Sequence, residues 1–331
     1  MKKILAVLLA LILAFSMIGC NDSDKEDKVD ENKNQGIEMF ENMMKDLSSR
    51  DNMSMKSTMS LELDQLEMMG LPSPMVIEMT SDASSHKNMK MNLAVDLGIL
   101  PIEADIYVTE EKLMIHSELL GSFLGAPYMS LDLQDLMSQV GDSTESEEQL
   151  NQLKGILARY EEASEYSLYD VFVFDEKVVE EKITVNEEKI DASKITMNLT
   201  LDKAVDFLYD FMAFASEDEE ARALLLTSMT DEEIDEMKAE MLDPENRVKL
   251  EEALAGLTMN SFKIEMYLNK DLAPVKMDLD IDVSLLVEEE VYEVKFKMNQ
   301  EMFNFGKVED IQMPDVDPSE VQNLSDMIPN F

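Results

Sequence analysis

One cysteine, Cys20, serves the whole chain. An internal disulfide, a zinc-thiolate site and a cysteine-nucleophile site elsewhere in the protein are thereby ruled out. Stability has to come from a sizeable apolar core. Glycine is sparse, 10 residues with no glycine-rich run, so neither a phosphate-cradling loop nor a dinucleotide fingerprint is available. The two histidines, His86 and His116, are isolated in sequence, and lone histidines are more often structural or exposed than metal ligands. "GSFLG" at Gly121 to Gly125 misses the G-x-S-x-G elbow, because its serine directly follows the first glycine.

Positive charge is also scarce. Lys and Arg number 28 against 71 Asp and Glu, a formal net charge of −43 with a pI near 4.1. Such a chain will not neutralise phosphates, so nucleic acid is excluded as a partner. Electrostatic adsorption to an anionic lipid surface is excluded for the same reason. No D-x-[DN]-x-[DN]-G loop organises the acids into a calcium site. Their abundance makes any single carboxylate pair uninformative about catalysis, and the acidity reads as a solvated, self-repelling surface. No cofactor, metal site or catalytic residue is expected, and the protein is expected not to be an enzyme.

The N-terminus is more informative. "MKKILAVLLALILAFSMIGC" carries Lys2 and Lys3, an apolar run from Ile4 to Ile18, then Gly19 and Cys20. A charged start followed by a short apolar stretch is a secretory signal peptide, and the run is shorter than the roughly 20 residues a membrane-spanning helix needs. Its end resembles the lipobox of bacterial lipoproteins, with Met17 standing where leucine is usual. That resemblance implies cleavage after residue 19 and a diacylglyceryl group on Cys20, hence a lipid-anchored protein on the extracytoplasmic face of the cell membrane. The alternative is a plain signal peptide with an incidental cysteine. Residues 20–36 have almost nothing to bury and read as a disordered acidic tether, with a coil reach of about 20 Å. The folded part is expected over 37–331.

From there the chain alternates apolar and polar residues in two blocks. "MSMKSTMSLEL" and "NMKMNLAVDL" open the first, and "PIEADIYV" and "KLMIH" continue it. "KITMNLTL", "SFKIEMYL", "PVKMDLDIDVSL" and "EVYEVKFKM" make up the second. Period-two alternation predicts an antiparallel sheet with one wet and one buried face. Strands of ten residues span about 33 Å and tend to coil. Helices are predicted at "IEMFENMMKDL", "SEEQLNQLKGILARYEEA" and "DKAVDFLYDFMAFA", with further starts at Ser216/Glu219, Thr230/Glu233 and Asp243-Pro244. Segregated runs of strands and helices argue an α+β fold: a long curved antiparallel sheet, a half-barrel, covered on its concave face by helices. The two blocks are read as two similar halves of a single domain, joined near 164–168.

Lipobox, polar tether, methionine-rich strands, the "KITMNLTLDKAVDFL" strand-to-helix step, "MYLNKDLAPVKMDLDIDV" and "FNFGKVEDIQMPD" together resemble the Gram-positive lipoproteins of LolA/LppX-like fold. The resemblance spans most of the mature chain and implies a curved sheet wrapped on helices around an apolar cavity, with no catalytic residue. The acidic run from Glu217 to Leu257 matches it least.

The methionines have two further readings. Met53/Met55 and Met89/Met91 have the spacing of paired thioether ligands for Cu(I), yet leucine, valine and isoleucine keep the same register along the same strands. An apolar surface is the better expectation, and methionine's flexibility suits an irregular core or an adaptable pocket. The candidate lining is Met55, Met59, Met89, Met91, Leu93, Met197, Leu199, Met266, Met277, Leu279 and Phe296. The expected function is binding of a lipid or other apolar ligand in the sheet concavity, as carrier or sensor. The alternative is a cell-envelope scaffold or partner-binding domain whose trough the helices fill completely.

Overall fold

In a computed structural model of the chain the described residues are 34–47, 50–63, 66, 70–85, 87–98, 101–133, 155–156, 159–160, 162–164, 171–225, 230–243, 245, 247–248, 257–287 and 290–324. A first helix, α1 (Gln35–Leu47), precedes β1 (Met53–Leu63), β2 (Met75–Ser85), β3 (Asn88–Asp96), β4 (Pro101–Val108) and β5 (Lys112–His116). A short helix α2 (Glu118–Leu124) leads to β6 (Tyr128–Asp132). Next come β7 (Phe172–Phe174), β8 (Val179–Val185), β9 (Glu188–Leu199), α3 (Leu201–Glu217), α4 (Glu219–Leu225) and α5 (Asp231–Leu242). The last strands are β10 (Leu257–Leu268), β11 (Pro274–Val287), β12 (Glu290–Phe303) and β13 (Val321–Asn323).

All thirteen strands belong to one open sheet in the order β13-β6-β5-β4-β3-β2-β1-β12-β11-β10-β9-β7, with β8 pairing β9 off this path. Every pairing is antiparallel except β13 on β6. The fold is therefore α+β with a long, mostly antiparallel sheet. Its two meanders, β1 to β6 and β9 to β12, meet where β1 pairs β12 over ten positions, from Ser54↔Phe303 to Leu63↔Val294. The predicted join at 164–168 falls mostly outside the described residues.

Side-chain alternation sorts the sheet into two faces. On one, a polar row crosses ten strands in unbroken register: Tyr128, His116, Asp105, Asn92, Thr80, Lys56, Glu301, Lys276, Tyr267 and Lys194. On the other face, β1 to β6 place no charged side chain. The β8–β9 connection turns at Asn186 and Glu187 with φ of 46° and 68°, the two positive values a two-residue primed hairpin requires.

Helices cover the β9 to β11 end of the apolar face. Phe207, Phe211 and Met212 of α3 pack on Leu199 and Phe262, with Ile264, Leu279 and Ile281 alongside. Tyr160 sits fully buried at the centre, edge-on to Phe207 and Phe211 at 5.3 Å and to Phe214 at 5.5 Å. Met43 and Phe40 of α1 pack with Ile195, Met197, Met266 and Leu268.

Helix starts largely follow their sequence signals. Thr230 and Glu233 form the predicted capping box of α5, and Asp243 accepts from Glu245 N at 2.9 Å. The Ser216/Glu219 start is corrected. Ser216 lies inside α3 and donates to Ala213 O, while Asp218 accepts from Ala221 N at 2.9 Å and starts α4. Carboxylate and hydroxyl cap equally well, and the side chain at the break in helical backbone takes the role. At the N-terminus α1 begins at Gln35, two residues before the expected boundary, with Asn34 Oδ1 accepting from Gly36 N at 2.8 Å.

Candidate functional site

Cross-strand register brings the eleven candidate lining residues onto a single face. Met55 stands opposite Met302 and Met59 opposite Met298. Leu279 pairs Met298, Ile281 pairs Phe296, and Met266 pairs Met277. Met197 pairs Ile264 on β10 and Phe174 on β7, two positions from Leu199↔Phe172. Further along the face Ser81 pairs Met91, Met79 pairs Leu93 and Ala83 pairs Met89.

Packing divides the set. Met197 at 3%, Leu199 at 7% and Met266 at 9% relative exposure are core, and Met277 and Leu279 pack against the same two clusters. These five residues share those clusters with side chains of helices α1 and α3. Met55, Met59, Met89, Met91, Leu93 and Phe296 are only half-buried and belong to none of the packed clusters formed among the described residues. Cys20 lies outside the described residues, as does His86.

The opposite, polar face carries a groove of about 530 Å³ over β1 to β5, bounded by α2. Its lining includes Lys56, Glu78, Asn92, Glu103, Asp105 and His116. His116 Nδ1 lies 3.5 Å from Asp105 Oδ2, and its Nε2 lies 3.7 Å from Glu118 Oε1. The imidazole stacks at a tilt on Tyr128, ring centres 4.5 Å apart. Asn92 donates to Asp105 and accepts from Thr80. An imidazole oriented by a carboxylate is half of an acid–base arrangement. The nearby Ser117 hydroxyl is committed to the Glu103 carbonyl at 2.8 Å, so it does not complete a nucleophile–base pair. Among the described residues no three His, Cys, Asp or Glu side chains converge as metal ligands. Single-sequence reasoning missed this groove because its residues come from five strands, each reading as an ordinary wet face.

Beneath the β8–β9 hairpin, Tyr267 lies between Lys194 and Lys276, whose ammonium groups are 6.0 and 5.1 Å from its ring centre. Burial, helped by Glu265 and Asp278, pushes its hydroxyl well above the ordinary tyrosine range. Lys194 in turn reaches Glu265 at 3.4 Å and Glu181 at 3.6 Å. This network pins the hairpin to the sheet.

No protein-family model matches the chain, and no curated protein matches it either.

Proposed function

We propose that the protein is an extracytoplasmic lipoprotein, held to the cell membrane by a lipid on Cys20, that carries or senses an apolar ligand on the uncharged face of its sheet. The long open sheet is proposed to curl into a half-barrel of LolA/LppX-like form, with this face on the concave side. One observation carries the proposal: methionines and leucine of β1 and β3 stay half-buried outside the clusters packed among the described residues, although they share a face with fully buried core. A flexible thioether surface without charge suits a ligand of variable shape. Neither a catalytic residue nor a cofactor enters the proposal.

A second function has its own support. Helices α1 and α3 already cover the β9 to β11 end, and continuation of that cover would leave a scaffold or partner-binding domain with no small ligand. Native mass spectrometry of the mature, unacylated chain separates the two. Copurified lipid, or an apolar dye displaced by lipid, is the expected result. Absence of both overturns the carrier function in favour of the scaffold.

A further inference from the structure

One small side chain marks the middle of the groove on the polar face. Thr58, Glu78, Ala94 and Glu103 stand in one register row across β1 to β4, so β3 places a methyl group between two carboxylates whose strands are about 10 Å apart. Glu78, Ala94 and Glu103 line the groove, with Lys56 at its β1 end and Asp105 and Glu118 toward α2. Its volume of about 530 Å³ is in the range that takes a small molecule.

Charge pairing sets the groove apart from the rest of this face. On β9 to β12, Lys194, Lys263, Lys276, Lys295 and Lys297 each lie within ion-pair distance of a carboxylate. In the groove, the side chains of Lys56, Glu78 and Glu103 form no ion pair or hydrogen bond among the described residues. Glu78 is nevertheless a diagonal neighbour of Lys56, two residues from its partner Thr80. Charges of both signs therefore stand open around one concavity, and they complement a molecule that itself carries both. Four carboxylates against one lysine repel an anion and favour an ammonium group.

We propose that the groove is a second binding site, for a short zwitterionic peptide whose N-terminal ammonium lies over Ala94 between Glu78 and Glu103 and whose C-terminal carboxylate meets Lys56. Ala94 and Lys56 are two strands and two residues apart in the register, about 12 Å. An extended peptide of about three or four residues spans that distance. The site is independent of the carrier function, whose ligand lies on the opposite face of the sheet.

Titration calorimetry on the mature chain with Cys20→Ser tests the site with three probes: tri-alanine, its N-acetyl form and its C-terminal amide. Tri-alanine is expected to bind, and each capped form to bind about tenfold more weakly. Ala94→Leu fills the middle of the groove without changing its charge, and is expected to abolish tri-alanine binding at an unchanged urea midpoint. Lys56→Met is expected to make the free acid and the amide bind equally. No binding of tri-alanine at millimolar concentration, a capped form as tight as the free peptide, or a preference for the free acid that survives Lys56→Met would each overturn the site. Should Ala94→Leu lower the urea midpoint, the comparison of acid with amide in Lys56→Met decides alone.

Discussion

Arg159 grips Asp218 at two points, Nε to Oδ2 at 2.9 Å and Nη2 to Oδ1 at 2.8 Å, and its third nitrogen reaches Glu220 at 2.9 Å. Asp218 also ends α3 and starts α4, so one carboxylate joins the helical residues around Tyr160 to both helices. The Arg159 hydrogen bonds, with the Ala221 N–H, hold its carboxyl down at about 2. Because the folded value lies below the ordinary carboxylate value, the contribution is complete above about pH 4 and is lost as pH falls toward 2. Asp218→Asn is expected to cost about 1–2 kcal/mol at pH 7, most of it gone by pH 2. Urea melts of both proteins across that range check the convergence. A gap that stays constant with pH would exclude the ion pair as its source.

Tyr160 is fully buried, and its hydroxyl donates to Asp210 Oδ2 at 2.8 Å. Tyr160→Phe keeps the three edge-on ring contacts and loses one charge-assisted bond, for an expected cost of about 1.5–3 kcal/mol. Tyr160→Ala also opens a cavity and should cost about 3–5 kcal/mol. Chemical denaturation resolves the two steps.

Methionine truncation distinguishes core from lining. Met197→Ala and Met266→Ala should each cost about 2–4 kcal/mol, because both side chains lie inside packed clusters. Met55→Ala and Met59→Ala should each cost less than about 1.5 kcal/mol, because these side chains are half-buried. The second pair should lower the affinity for an apolar dye and the first should not. Equal costs for the two pairs would place Met55 and Met59 in the core.

Glu187 holds a φ of 68° in the β8–β9 turn, a conformation glycine adopts without penalty. Glu187→Gly is expected to raise stability by about 1 kcal/mol and leave the Asn186 N to Glu301 Oε2 bond at 2.8 Å in place. A higher melting temperature is the readout, and a lower one would show that the Glu187 side chain contributes more than its backbone costs.

Cys20→Ser should abolish anchoring. The unsubstituted protein is expected to enter the detergent phase of a Triton X-114 separation and to carry a diacylglyceryl mass, whereas the variant stays aqueous. An unmodified Cys20 in the mature protein would reduce the lipobox to a plain signal peptide.

Local periodicity by itself determined the α+β class, the long strands and which side chains of each strand share a face. Met55 and Met59 alternate with Lys56 and Thr58, and the pleat turns that alternation into two chemically distinct surfaces. Capping chemistry likewise placed the start of α5. Tertiary structure alone decided the rest. Pairing of β1 with β12 unites two meanders in one sheet, and it puts Ser57 against Gln300, 243 positions further along the chain. No local pattern encodes that register, because strand pairing over such a separation is selected by whole-face burial. The same packing made Met197 and Met266 core while leaving Met55 and Met91 half-buried, although all four alternate identically in sequence. Alternation specifies the direction of a side chain, and only the neighbouring helix determines what that side chain meets.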